Sequence, residues 1–184
     1  MKSRLLLLVL PLFFACEDAA DPATTEDPTL VGSWTVTSYV QYSGPTCTGT
    51  PEWGLDSLTA MFGDGMTIGM DFTADAVSMN MNLTADAICS MMGATLDGDS
   101  CLSEYGNLAT ADVCVTLGGT YANSTCTMTE NALSYTTVDD AITMTEYAGT
   151  DSAEVQTGTW AITNNVLTMT VSDDSSCANI TLSK

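Results

Sequence analysis

The chain has 184 residues with 23 acidic side chains, three basic ones and no histidine, for a formal net charge of −20. Without an imidazole, Ser-His-Asp and Cys-His nucleophilic catalysis are excluded, as are histidine-ligated zinc, haem and copper centres. Lys2, Arg4 and Lys184 are the whole supply of bases, which excludes nucleic acid and anionic headgroups as partners, since Lys and Arg supply most of that affinity. Carboxylate-pair chemistry and oxygen-ligand metals such as calcium survive.

In chain order, Lys2 and Arg4 precede an apolar run over residues 5–14 that is too short to cross a bilayer as a helix. The run LLLLVLPLFFAC ends in Phe13-Phe14-Ala15-Cys16 and resembles a bacterial lipobox, in which a small residue precedes the cysteine that is lipidated. This predicts a lipoprotein signal peptide over residues 1–15 and a lipid on Cys16. The processed chain then carries 23 acids against one base, Lys184. Residues 16–29, CEDAADPATTEDPT, hold five acids and two prolines with almost no large apolar side chain. Such a stretch buries too little surface to fold and reads as an acidic, disordered tether. The expected location is the bacterial cell envelope, with the chain held by its lipid at the outer membrane, on the periplasmic side or at the cell surface.

From residue 30 the pattern turns to strands. Residues 30–40 place Trp34, Val36 and Val40 on one face. Residues 66–72 and 77–83 form two more, and in the second Val77, Met79, Met81 and Leu83 alternate with Ser78, Asn80 and Asn82. Shorter strands are predicted over 132–137 and 141–147. Residues 157–163 and 166–171 flank Asn164-Asn165, a pair that tolerates positive φ and suits a tight hairpin. Residues 177–182 make the last strand. Eight short antiparallel strands with sparse helix predict an all-β barrel or sandwich, in one domain over residues 30–184.

Six cysteines remain besides Cys16: Cys47, Cys89, Cys101, Cys114, Cys126 and Cys177. An even number in an exported chain predicts disulfides. Residues 84–101 read TADAICSMMGATLDGDSC and residues 110–126 read TADVCVTLGGTYANSTC. Aligned on the cysteines, Cys89 matches Cys114, Cys101 matches Cys126 and Gly93 matches Gly118, while the shared TAD lies one residue further upstream in the first copy. Thr84 and Thr110 are candidate helix N-caps, each with an aspartate following in the first turn. Gly93 and Gly118 stand where a helix takes a left-handed C-cap. A helical turn, a glycine reversal and a returning strand bring cysteines twelve apart into bridging range. The favoured pairing is therefore Cys89–Cys101 and Cys114–Cys126, leaving Cys47–Cys177. The rival is crossed, Cys89–Cys126 with Cys101–Cys114. The repeat, over residues 84–126, reads as a disulfide-rich, short-helix insertion between strands.

Two motifs bracket the domain: Leu30-Val31-Gly32-Ser33-Trp34 near its start and TGTWAITNNVLTMTV over residues 157–171 near its end. Together with MDFTADAVSM over residues 70–79, they resemble the lipocalin-like domain of bacterial lipoproteins over about half the chain. The resemblance implies an antiparallel up-and-down β-barrel with Trp34 packing at one end. It also implies a non-enzymatic role in binding a small apolar ligand, for which Trp34 and Trp160 are the candidate contacts. A second reading is a structural or adhesive surface module assisted by calcium.

Other residue clusters have bland explanations. Met61, Met66, Met70, Met79, Met81, Met91 and Met92 offer thioethers for Cu(I), but methionine is also a good core filler. Asp97-Gly98-Asp99-Ser100 with Glu104 is a fragment of a calcium-loop pattern that lacks the full ligand set. Asp139-Asp140 and Asp173-Asp174 read as solvated turns. Tyr42 and Trp53, near Cys47, suit either a barrel mouth or packing. Nothing marks one carboxylate pair for catalysis, so no enzyme, metal or cofactor is assigned.

Overall fold

A computed structural model describes residues 30–104, 106–130, 132–150 and 153–184. The predicted signal peptide over 1–15, Cys16 and the tether over 16–29 lie outside them. The alternating segments form strands β1 (Gly32–Ser43), β3 (Met66–Phe72) and β4 (Ala76–Thr84), with a short β2 (Trp53–Gly54) and helix α1 (Leu55–Phe62) between β1 and β3. An insertion follows: α2 (Ala85–Met91), β5 (Thr95–Asp97), β6 (Ser100–Ser103), β7 (Gly106–Ala109), α3 (Thr110–Thr116), β8 (Thr120–Ala122) and β9 (Thr125–Thr129). The chain ends with β10 (Leu133–Val138), β11 (Ala141–Glu146), β12 (Glu154–Thr163), β13 (Val166–Ser172) and β14 (Ser176–Ser183).

Eight strands close a barrel in the order β1, β3, β4, β10, β11, β12, β13, β14, each antiparallel to its neighbours. They are the eight alternating segments of the sequence, joined up and down. Closure leaves the barrel without an exposed edge. Asn164 and Asn165 take φ values of 52° and 62°, the left-handed pair that a two-residue hairpin needs.

Period-two alternation sorts the side chains. In β13, Leu167, Met169 and Val171 are buried. Outside, polar side chains ladder across strands. Asn80 donates to Asp71, Thr129 donates to Asn80 at 2.7 Å and Thr127 donates to Asn82 at 2.8 Å. Trp34 is buried, and its indole N–H donates to the Leu30 carbonyl at 2.8 Å. The ammonium of Lys184 lies 4.6 Å from the centre of that ring. Gly158 allows β12 and β13 to close up, because a Cβ there meets the Thr170 carbonyl.

The insertion is a pseudo-repeat in structure as well as sequence. Each unit is a seven-residue helix followed by a β-hairpin. Gly93 and Gly118, at φ 66° and 82°, end the helices in the same way. Ala94 N–H reaches the Cys89 carbonyl and Gly119 N–H reaches that of Cys114, both at 2.9 Å, while the glycine amides bond to Ser90 and Val115. This is a Schellman closure with a half-cystine as the acceptor in each unit. Disulfides then tie helix to returning strand, Cys89–Cys101 and Cys114–Cys126, with Cα–Cα separations of 5.0 and 5.6 Å. This is the local pairing and not the crossed one. Cys47–Cys177 completes the set.

One capping expectation is corrected. Thr84 is an N-cap, accepting from Ala87 N–H at 3.3 Å, but Thr110 is the first residue of α3 and Ala109 is its N-cap. The cysteine register governs the repeat and not the TAD register, so Thr110 aligns with Ala85. The two units also cap each other. Ala85 N–H donates to the Ser124 carbonyl and Thr110 N–H to the Asp99 carbonyl, both at 3.0 Å. Ser124 and Asp99 occupy matching places, two before the second cysteine of each unit.

Helix α1 is an addition to the expected elements. Leu55, Leu58 and Phe62, spaced three and four apart, pack their partly buried side chains on the core. That spacing is the helical signal the sequence carried.

Candidate functional site

The barrel interior divides into a filled part and an open part. The filled part holds Trp34, Leu167, Leu182, Ile142 and Met169, all buried. The open part is a cavity of about 550 Å³ that takes lining residues from β1, β3, β4, β9, β10, β11, β12, β13 and β14. This size is within the usual range of about 300–1,000 Å³ for small-molecule sites.

Pleating explains how the lining is assembled. In β14, Ser176, Ala178 and Ile180 face the cavity. Cys177, between them in the strand, is opposite Tyr42 and is buried beneath the segment bearing Cys47. In β1 the register shifts between Val36 and Ser38. This bulge moves the inward set from even to odd numbers, and Tyr39 and Gln41 reach the cavity. Tyr39 donates its hydroxyl to Gln41 Oε1 at 2.8 Å, and burial raises its pKa above the ordinary value, so the wall is neutral there.

The apolar floor is formed by Met70, Val77, Leu133, Met144, Val171 and Ile180. Met79 is 36 % exposed although it belongs to the inward set of β4, because it borders the cavity. Polar groups lie among these: Gln41, Gln156, Ser172 and Ser176, with the carboxylates of Glu130, Glu146 and Asp173. Asp173 is held in place by Ser175 and Ser176. Its Oδ1 accepts the Ser175 N–H at 2.7 Å, the Ser175 hydroxyl at 2.8 Å and the Ser176 N–H at 2.7 Å, and its Oδ2 accepts the Ser176 hydroxyl at 3.0 Å. These bonds, led by the Ser175 amide, lower its pKa below the ordinary carboxylate value. Asp173-Asp174 forms a solvated turn, as read from the sequence, and Asp173 borders the cavity from it.

The two tryptophans expected to meet a ligand lie elsewhere. Trp34 belongs to the filled part under Lys184. Trp160 is buried, with its indole N–H lacking a hydrogen-bond partner among the described residues, and neither ring lines the cavity. Tyr42 and Trp53 are not part of the lining either, and Trp53 is half exposed in an outer groove with Thr37 and Glu52. The seven methionines of the thioether cluster are scattered. Met66 and Met70 are buried, Met81 is partly buried, and Met61, Met91 and Met92 are exposed. Asp97 and Ser100 pair across the turn of the β5–β6 hairpin, where Gly98 takes φ 60°. Among the described residues no group of three or more acids or cysteines is placed to hold a metal ion.

Sequence reading missed the site because its residues come from nine strands, few of them adjacent in sequence. No residue in the sequence marks the opening, since Met79 follows the same alternation as Val77, Met81 and Leu83 and faces Met70 across the ladder. In comparison with known proteins, the chain matches no family model, no curated protein and no solved structure.

Proposed function

We propose that the chain is a lipid-anchored protein of the bacterial cell envelope that holds a small apolar ligand in its barrel without transforming it. The cavity of about 550 Å³, whose lining is divided between apolar and polar side chains, carries this reading. Export and lipidation on Cys16 rest on the leader sequence. Three disulfides in a chain of this size fit an oxidising compartment, which supports an extracytoplasmic location. The lipocalin-like resemblance gains support from the placement of its G-x-W motif. Trp34 packs inside the barrel and a cation, Lys184, covers it.

A non-enzymatic role fits the lining. It has carboxylates, amides, hydroxyls and thioethers, and the Ser176 hydroxyl that donates to Asp173 has no imidazole to take its proton, since the chain holds no histidine. Fluorescence titration with N-phenyl-1-naphthylamine, an uncharged apolar probe, tests the proposal against an M79W variant, whose enlarged side chain enters the opening from a partly exposed lining position. The wild type should bind one probe per chain, and M79W should lose at least tenfold in affinity. If both bind equally or neither binds, the cavity is not a ligand site and the surface-module reading replaces this one.

A further inference from the structure

The cavity also discriminates by charge. Resting on the reading that it binds an apolar molecule, we infer that its ligand class is cationic amphiphiles: an apolar tail for the floor and an ammonium head for the mouth. Met70, Val77, Met144 and Ile180 offer the tail a thioether and hydrocarbon surface. Flexible methionines adapt to such tails without demanding one shape.

The head meets only negative or neutral groups. Glu130, Glu146 and Asp173 share the lining, and Tyr39 adds an aromatic ring of the kind that attracts ammonium. The hydrogen bonds from Ser175 and Ser176 keep Asp173 ionised, so its charge is a fixed feature of the wall. No compensating cation is near. Lys184 is the one base among the described residues, and it is stacked on Trp34, with its backbone N–H directed to Asn165 at the β12–β13 turn. Strands β13 and β14 separate that turn from the mouth residues Asp173 and Ser176. A fatty-acid carboxylate entering the cavity would therefore face three carboxylates and no cation to pair with, and like charges placed together are disfavoured.

Isothermal titration of the purified full chain with three eight-carbon molecules tests this: octyltrimethylammonium, octanol and octanoate. Tetramethylammonium supplies the head without the tail. The expected order is octyltrimethylammonium at one per chain, at least tenfold tighter than octanol, with octanoate and tetramethylammonium weakest. Because the whole chain is acidic, location is tested with two variants of equal charge change. E130Q/E146Q should weaken octyltrimethylammonium by about two- to fivefold per residue and leave octanol unchanged. D139N/D140N, between β10 and β11 and outside the lining, should leave both unchanged. Equal affinity for octanol and octyltrimethylammonium would overturn the charge inference while sparing the apolar site. Equal weakening by the two variants would assign the cation preference to the overall charge and overturn it too. Absence of binding by all the eight-carbon molecules would reject the apolar site itself.

Discussion

Lys184 places its ammonium 4.6 Å from the centre of the Trp34 ring, joining the residue that follows the last barrel strand to the third residue of the first. Strands β1 and β14 are neighbours in the barrel, so this contact fastens the seam where the two ends of the fold meet. In a chain with 23 acids, the last base is committed to an aromatic face. K184M keeps the aliphatic cover and removes the charge. It should destabilise the barrel by about 0.5–1 kcal/mol, read as a fall of about 1–4 °C in the tryptophan-fluorescence melting temperature. No change would show that hydrocarbon contact alone covers Trp34.

Among the described residues, Thr110 is the one polar residue that is fully buried. Its hydroxyl lies 3.1 Å from the Asp99 carbonyl and 2.9 Å from the Tyr121 hydroxyl, so it links both repeat units. T110V keeps the shape and removes both bonds. The expected cost is about 1–3 kcal/mol, measured by denaturant unfolding. T110S keeps the hydroxyl and drops only the methyl, so a loss equal to that of T110V would assign the effect to packing and not to the hydrogen bonds.

The disulfides differ in loop length, and so should their effects. Removing Cys89–Cys101 or Cys114–Cys126, each spanning 12 residues, should cost about 3 kcal/mol on the chain-entropy model. Removing Cys47–Cys177, spanning 130, should cost about 5 kcal/mol on the same model. Non-reducing peptide mapping checks the connectivity directly. A protease that cuts at acidic residues is required, since there is no Lys or Arg between Arg4 and Lys184. A peptide linking Cys101 to Cys114 would contradict the fold of the insertion.

Asp173 gives the acid limb of stability a specific contributor. Its folded-state pKa is lowered, so its contribution is fully present above the unfolded carboxylate pKa of about 3.9 and is lost as pH falls through the lower folded value. D173N should therefore be less stable than the wild type at pH 7, and the gap should close in strong acid. Unfolding curves of the two proteins across that range provide the check. A gap that is constant with pH would assign the effect to packing.

The strands were legible because a barrel wall imposes a period of two, which Val77, Met79, Met81 and Leu83 display without interruption. The local disulfides were legible because the repeat carried its own glycine-terminated helix and hairpin. The first residue of α3 was not, since TAD looks alike in both copies and only tertiary packing makes Thr110 a buried helical residue. The cavity was the least legible feature. Whether a barrel interior is filled depends on how side chains from all its strands add up around the circumference. Trp34 and Trp160 were natural candidates by size, and size is what fits them to the filled part. Tyr39 and Gln41 reach the opening only through a one-residue register shift that alternation alone does not announce.

Methionine-methyl NMR of the chain with N-phenyl-1-naphthylamine tests ligand binding in the barrel most directly. Met70, Met79 and Met144 line the cavity, whereas Met61, Met91 and Met92 are exposed and outside that lining. The first three methyl signals should shift and saturate together at one probe per chain, with the other three unmoved. Shifts confined to Met61, Met91 and Met92, or none at saturating probe, would contradict a ligand site inside the barrel.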